Sequence, residues 1–173
     1  GITSGKLVTG QFERDNKKQL EEKTQIIINE LTGQFKTQEL LDPSQKELIN
    51  LKLKEYSRLF NTPISLFQKN GRLFNTTEAK LYDLGLASTY MNPTAFWKLN
   101  QNQSSSESAD EKAGSLKYLS LYTALFDQNK ELVGFINLPY FAKQSDLVNE
   151  LSGIISALIN VYIILFVLSI VAG

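Results

Sequence analysis

The strongest constraint on this 173-residue chain is its last stretch, Leu151 to Gly173, which reads LSGIISALINVYIILFVLSIVAG and carries no charge. Between Ile154 and Ala172 only Ser156, Asn160 and Ser169 interrupt its apolar character. An α-helix rises about 1.5 Å per residue and a bilayer core is about 30 Å thick, so roughly 20 apolar residues cross it. A helix apolar on every side otherwise needs protein on every side, and a chain of this length can hardly supply it. The expectation is a folded domain that runs directly into a transmembrane helix.

Composition then narrows the chemistry. Lys+Arg and Asp+Glu both number 18, with no block of like charge, which argues against a nucleic-acid platform. The chain has no cysteine, hence no disulfide framework, thiolate catalysis or cysteine metal site. It also has no histidine, the commonest general base near neutral pH and the commonest metal ligand. The adjacent carboxylates Asp110 and Glu111 lie in a polar segment and read as solvated charges. The ten glycines are scattered and form no phosphate cradle. No catalytic residue, metal or cofactor is expected. Residues Gly1–Gly10 lack the long apolar core of a signal peptide, so the reading is a piece of a longer membrane protein with its targeting segment upstream.

Taken in order, Gln11 to Leu41 contains no proline and predicts one long helix, with apolar residues recurring at Leu20, Ile27, Leu31 and Phe35. Two uses of that stripe are open: packing on the domain's own core, or pairing with a second copy along a Leu20–Thr24–Ile27–Leu31 seam. Asp42-Pro43-Ser44-Gln45 caps a second helix running to about Phe60. Ile64–Gln68 and Arg72–Asn75 predict strands joined by Lys69-Asn70-Gly71, with Asn-Gly in a type I′ turn. Glu78–Leu84 predicts a short helix ended by Gly85; Asn92 caps another, with Phe96 and Trp97 expected to point inward. Asn100 to Gly114 is polar throughout and predicts a loop holding at most an edge strand. Leu116–Phe126 and Glu131–Leu138 predict the last hairpin, closed by Pro139 and followed by the membrane helix. Antiparallel hairpins and helices make an α+β domain built on one sheet.

The runs SLFQKNGRLFNTT, GLASTYMNPTAFWKL and SLKYLSLYTALFDQNKELVGFINLPYFAKQSDLVNELS, followed by an apolar span, resemble a known group. They look like the extracytoplasmic PAS-like (Cache-type) sensor domains of Bacteroidetes membrane histidine kinases. The segment Asn137 to Ser145 carries the most specific part, and the likeness covers Ile64 to Gly173. It implies a central antiparallel sheet of about five strands, a long N-terminal helix and a C-terminal transmembrane helix. It further implies a sensor domain over residues 1–143 and a juxtamembrane and membrane helix over 144–173. A histidine-kinase module would follow in the cytoplasm, with the sensor in the bacterial periplasm.

Alternation along the last strands selects a candidate site. Leu119, Leu121 and Leu125 share one face, suited to the long helix; Tyr118, Ser120 and Tyr122 share the other. The hydroxyl face suits a partly polar pocket for a small ligand, with Asn137 at its edge and Tyr90 and Trp97 as a lid. The competing reading is that these are core aromatics whose polar tips reach backbone or solvent. The expected partners are a small molecule or periplasmic protein, the membrane, and a second copy of the chain. Mid-span Asn160 could bond to its equivalent in that copy. Chemotaxis or cyclic-nucleotide output, a membrane-anchored structural or adhesion role and, least supported, an anchored enzyme remain alternatives.

Overall fold

The structure is a computed structural model and describes residues 2–141 and 144–173. Helix α1 (Ile2–Gln34) is followed by short 3₁₀ turns at Thr37–Leu41 and Pro43–Gln45, then α2 (Lys46–Phe60). Strands β1 (Ser65–Gln68) and β2 (Leu73–Thr76) form the first hairpin, followed by α3 (Ala79–Asp83) and α4 (Pro93–Asn100). Strands β3 (Ser106–Ala113), β4 (Leu116–Phe126) and β5 (Leu132–Tyr140) complete the domain, and α5 runs from Gln144 to Ala172. The five strands make one antiparallel sheet in the order β2-β1-β5-β4-β3.

The leucine face packs as the alternation predicts. Leu121, Leu125, Ile136, Leu138 and Leu66 meet Leu20, Ile27 and Leu31 of α1 and Ile49, Leu53 and Tyr56 of α2. Each such side chain contributes about 1.5–3 kcal/mol on burial. Leu20, Thr24, Ile27 and Leu31 are 0–2% exposed within this one chain, so they are not a seam for a second copy. The heptad-like spacing is instead the footprint of the sheet. A polar pin completes this layer: Asn50 Nδ2 donates to Asn75 Oδ1 at 2.6 Å, and Asn75 Nδ2 donates to the Lys46 carbonyl at 2.9 Å.

Four local expectations are corrected. The long helix starts earlier than Gln11 and breaks at Gln34. The chain then recaps at Lys36–Glu39, which delivers Leu40 into the core and Leu41 against the sheet. Asn100–Gly114 is a loop only in part: its expected edge strand is well formed, with Ser106–Ala113 pairing residue for residue with β4 from Ser106↔Thr123 to Ala113↔Leu116. An edge strand tolerates this polar, charged sequence because one side of its backbone faces water. Pro139 lies inside β5; its carbonyl turns from β4 to accept from Thr62 Oγ1 at 3.2 Å, so its missing N–H leaves no gap in the β4 ladder. Trp97 points outward at 56% exposure, whereas Phe96 is half-buried against the sheet.

The β1–β2 and β4–β5 hairpin turns share one geometry. Gly71 N donates to Gln68 O at 2.8 Å, and Gly71 (φ +85) takes a positive φ whereas Asn70 does not, so the turn is a three-residue loop rather than type I′. The β4–β5 turn repeats this pattern with Lys130 N donating to Asp127 O at 3.0 Å and Lys130 at φ +62. A left-handed conformation strains an L-residue but not glycine. Lys130→Gly is therefore expected to raise unfolding stability by about 0.5–1 kcal/mol. A shift of the denaturation midpoint in the opposite direction would contradict this reading of the turn.

Candidate functional site

The second face of the sheet holds the polar cluster. Register places Tyr122 of β4 opposite Asn137 of β5 and Glu107 of β3, and Tyr118 opposite Glu111. Strand parity therefore puts Tyr118, Ser120, Tyr122, Asn137, Glu107 and Glu111 on one face. Helix α4 and the segment before it cover this face through Met91, Ala95 and Leu99, and α3 closes the lower part through Leu81. Asn92 fixes α4 as its sequence predicts, accepting at Oδ1 from the N–H groups of Thr94 and Ala95 at 3.1 and 3.2 Å.

Glu111 is the centre of the cluster. Its Oε1 accepts from Tyr122 OH at 2.6 Å and from Ser120 Oγ at 3.1 Å. Tyr122 OH in turn accepts from the Asn92 N–H at 3.3 Å, tying the cover to the sheet. Glu111 and Tyr118 also line a depression of about 580 Å³ that opens to solvent beside Lys112 and Lys117. Below them, Ser65 Oγ lies 2.8 Å from Thr76 Oγ1 and 3.4 Å from Tyr82 OH. Burial raises the pKa of Tyr122 and Tyr118 first, and the Glu111 carboxylate raises both further. Tyr82 is raised by burial, against the Ser65 hydrogen bond, with Glu111 and Glu78 adding to the rise. Glu78 is raised by its own burial, partly offset by Lys80. These hydroxyls are neutral donors throughout the physiological range.

Of the six residues singled out in the sequence, Tyr118, Ser120 and Tyr122 surround Glu111. Asn137 shares their face, but its Nδ2 donates to the Leu121 carbonyl at 3.2 Å. Tyr90 and Trp97 are 55% and 56% exposed and do not close over the hydroxyls; Tyr90 instead stacks with Arg72, 5.6 Å from its ring. The residue that sequence reasoning missed is Glu111, taken for a solvated charge. Its neighbour Asp110 is the exposed one, on the opposite face. The available signal was the alternation Glu107-Ala109-Glu111-Ala113, which places small or paired side chains inward. Among the described residues no group of three or more acidic side chains could hold a metal ion.

Comparison with known proteins rests on structure. No family model matches the chain, and no curated protein matches it. The ligand-binding domain of the Campylobacter jejuni chemoreceptor Tlp3, in complex with L-valine, superposes with a TM-score of 0.52 at 14% identity, over 83% of this chain and 59% of that one. The sensory domain of the same receptor with isoleucine bound gives 0.52 at 15% identity, over 83% and 58%. These likenesses show a shared fold: the chain has the PAS-like, Cache-type architecture of those domains. The Escherichia coli DcuS sensor domain is also similar, at 14% identity and a TM-score of 0.46, over 67% of this chain and 80% of that one. The Glu111 cluster lies on the sheet face away from the long N-terminal helix.

Proposed function

We propose that this chain is the periplasmic signal-sensing region, residues 1–143, and following membrane helix, 144–173, of a sensor histidine kinase of the bacterial inner membrane. The fragment itself is non-catalytic. One observation carries the reading: the polar cluster and the exit to α5 share a single packing unit. Tyr118 packs on Phe141, the residue after β5, with ring centroids 4.8 Å apart and the rings tilted by 42°. Tyr82, Tyr118 and Leu151 all pack around Leu81, Ala113 and Phe141, and Leu151 begins the 22-residue apolar run Leu151–Ala172. A ligand that reorganises the hydroxyls around Glu111 would therefore shift side chains touching the start of the span, favouring one of two arrangements of α5.

The ligand is a small molecule with a hydrogen-bond-donating or cationic head, since a carboxylate accepts and does not donate. L-valine and isoleucine, held by the similar Tlp3 domain, have such a head in their ammonium groups. Calorimetry with a panel of amino acids and simple amines on the chain in nanodiscs tests this. Glu111→Gln and Tyr122→Phe are expected to weaken the best binder at least tenfold, with the fold intact. Unchanged affinity, or no binding across the panel, would overturn the site. The chemoreceptor likeness favours a second reading in which the same module feeds a chemotaxis output, distinguishable by the sequence after Gly173.

A further inference from the structure

The hairpin formed by β3 and β4 overshoots the rest of the sheet. Among the described residues the β4–β5 ladder ends at Leu119↔Tyr140, whereas β3 and β4 continue together to Ala113↔Leu116. Strand β5 runs toward α5, so this two-stranded extension points the way the chain leaves the domain. Three residues carry it about 10 Å past the last β5 partner. Packing fixes its depth: Leu116 and Leu151 both pack around Leu81, Ala113 and Phe141, and Leu151 begins the apolar run Leu151–Ala172. The hairpin tip is therefore level with the start of that run.

Two lysines stand at the tip. Lys112 and Lys117 are directly opposed across the strands, so their side chains share one face. Both are exposed, and neither ammonium has an acidic partner within ion-pair distance among the described residues. Like charges directly opposite destabilise a strand pair, so folding alone gives no reason for them. Asp110 and Glu111 line the same open depression, and Glu111 Oε1 already accepts from Tyr122 and Ser120. Lys80 adds a third ammonium, in the groove where Thr77–Lys80 meet Leu151, Ser152 and Ile155. The carboxyl beside it, Glu78, is pushed toward its neutral form by burial, partly offset by Lys80.

We infer that the β3–β4 tip docks on anionic lipid headgroups of the leaflet from which the domain projects, Lys112 and Lys117 holding a phosphate between them. This rests on the membrane-spanning reading above. The occupant is a lipid surface because of depth: the two ammonium groups lie level with the start of the apolar run, where the headgroups of a bilayer crossed by α5 must stand. A phosphate offers several oxygens to two ammonium groups at once and offsets their mutual repulsion. Glu111 immediately precedes Lys112, so this contact acts on the strand that bears the candidate ligand carboxylate.

The chain's lack of cysteine allows a single reporter. The full chain in nanodiscs carries a fluorophore on Ser115→Cys at the tip, or on Asn129→Cys in the β4–β5 turn at the far end of the sheet. Phosphatidylglycerol or phosphatidylcholine with a spin-labelled headgroup serves as quencher. At Ser115→Cys the phosphatidylglycerol is expected to be preferred about tenfold or more, and Asn129→Cys should be quenched by neither lipid. Lys112→Gln and Lys117→Gln should each lower the preference about fivefold, and the double variant should bring it near unity. Both single variants should keep or raise thermal stability, because each removes a like-charge opposition. Equal quenching by the two lipids, or a stability loss that shows the lysines to be structurally paired, overturns the docking alone. Loss of the preference on adding inorganic phosphate, but not chloride at the same ionic strength, assigns the pair to a soluble anion and likewise overturns it. An unquenched tip in a chain that resists alkaline extraction places the hairpin off the membrane and overturns the docking. Release by alkaline extraction overturns the membrane-spanning reading and the docking with it.

Discussion

Gly134→Ala is expected to destabilise the domain by more than about 3 kcal/mol. Gly134 lies in the central strand β5, paired with Gln68 of β1 on one side and Leu125 of β4 on the other. A Cβ there would stand 2.5 Å from the Phe67 carbonyl oxygen and would overlap the Leu41 side chain. The Leu41 clash can be relieved, because a side chain can move or be truncated; the Phe67 clash cannot, because β1 is hydrogen-bonded along its length. Leu41→Ala in the same protein should therefore recover only part of the loss. Urea denaturation of Gly134→Ala within 1 kcal/mol of the parent would show that the Phe67 carbonyl of β1 does not close on Gly134 as described. Gly33, with nothing within 4 Å of a built Cβ, is the control: Gly33→Ala within helix α1 should stabilise by about 0.5–1 kcal/mol.

The contrast between those two glycines shows what sequence can and cannot reveal. Both sit in predicted regular elements, and nothing in the neighbouring residues distinguishes them. The difference lies in Leu41, ninety-three positions before Gly134, which reaches the sheet only because α1 breaks at Gln34. Features set by neighbours in sequence were legible: the Asn92 cap, the β4 strand Leu116–Phe126, the leucine face turned to α1, and the apolar run from Leu151. Features set by register were not. Strand β3 has only Ala109 and Ala113 as apolar residues, so its hydrophobic signal is nearly nil, and its pairing is dictated by β4. Glu111 became visible as a site residue only once that ladder placed it opposite Tyr118. The Leu20–Leu31 stripe failed differently: a helix packing on a sheet and a helix packing on its copy ask for nearly the same spacing.

The same buried cluster makes stability fall steeply in alkali. Tyr82, Tyr118 and Tyr122 all have raised pKa values, burial being the largest cause in each and Glu111 the charge common to all three. In the unfolded chain these phenols ionise near pH 10, whereas in the folded one they stay protonated above it. Above that pH the unfolded state therefore binds fewer protons than the native state, so stability is fully present below about pH 10 and is lost as pH rises. Each tyrosine's slope approaches about 1.4 kcal/mol per pH unit once it is fully ionised in the unfolded chain, so Tyr118 and Tyr122 each remove about 1 kcal/mol between pH 10 and 11, and Tyr82 adds to the fall. Lysines titrate in the same range, which is why the decisive measurement is a difference. Replacing each tyrosine in turn by phenylalanine should reduce the slope of unfolding free energy against pH by about one proton. Tyr122→Phe has a second signature. It removes the 2.6 Å hydrogen bond to Glu111 and so lowers stability near pH 7, yet its curve should converge on the parent's as pH climbs past 10. Parallel curves would mean that Tyr122 ionises freely in the folded protein, and the Glu111 cluster would then not be the closed, hydrogen-bonded unit that the proposed ligand site requires.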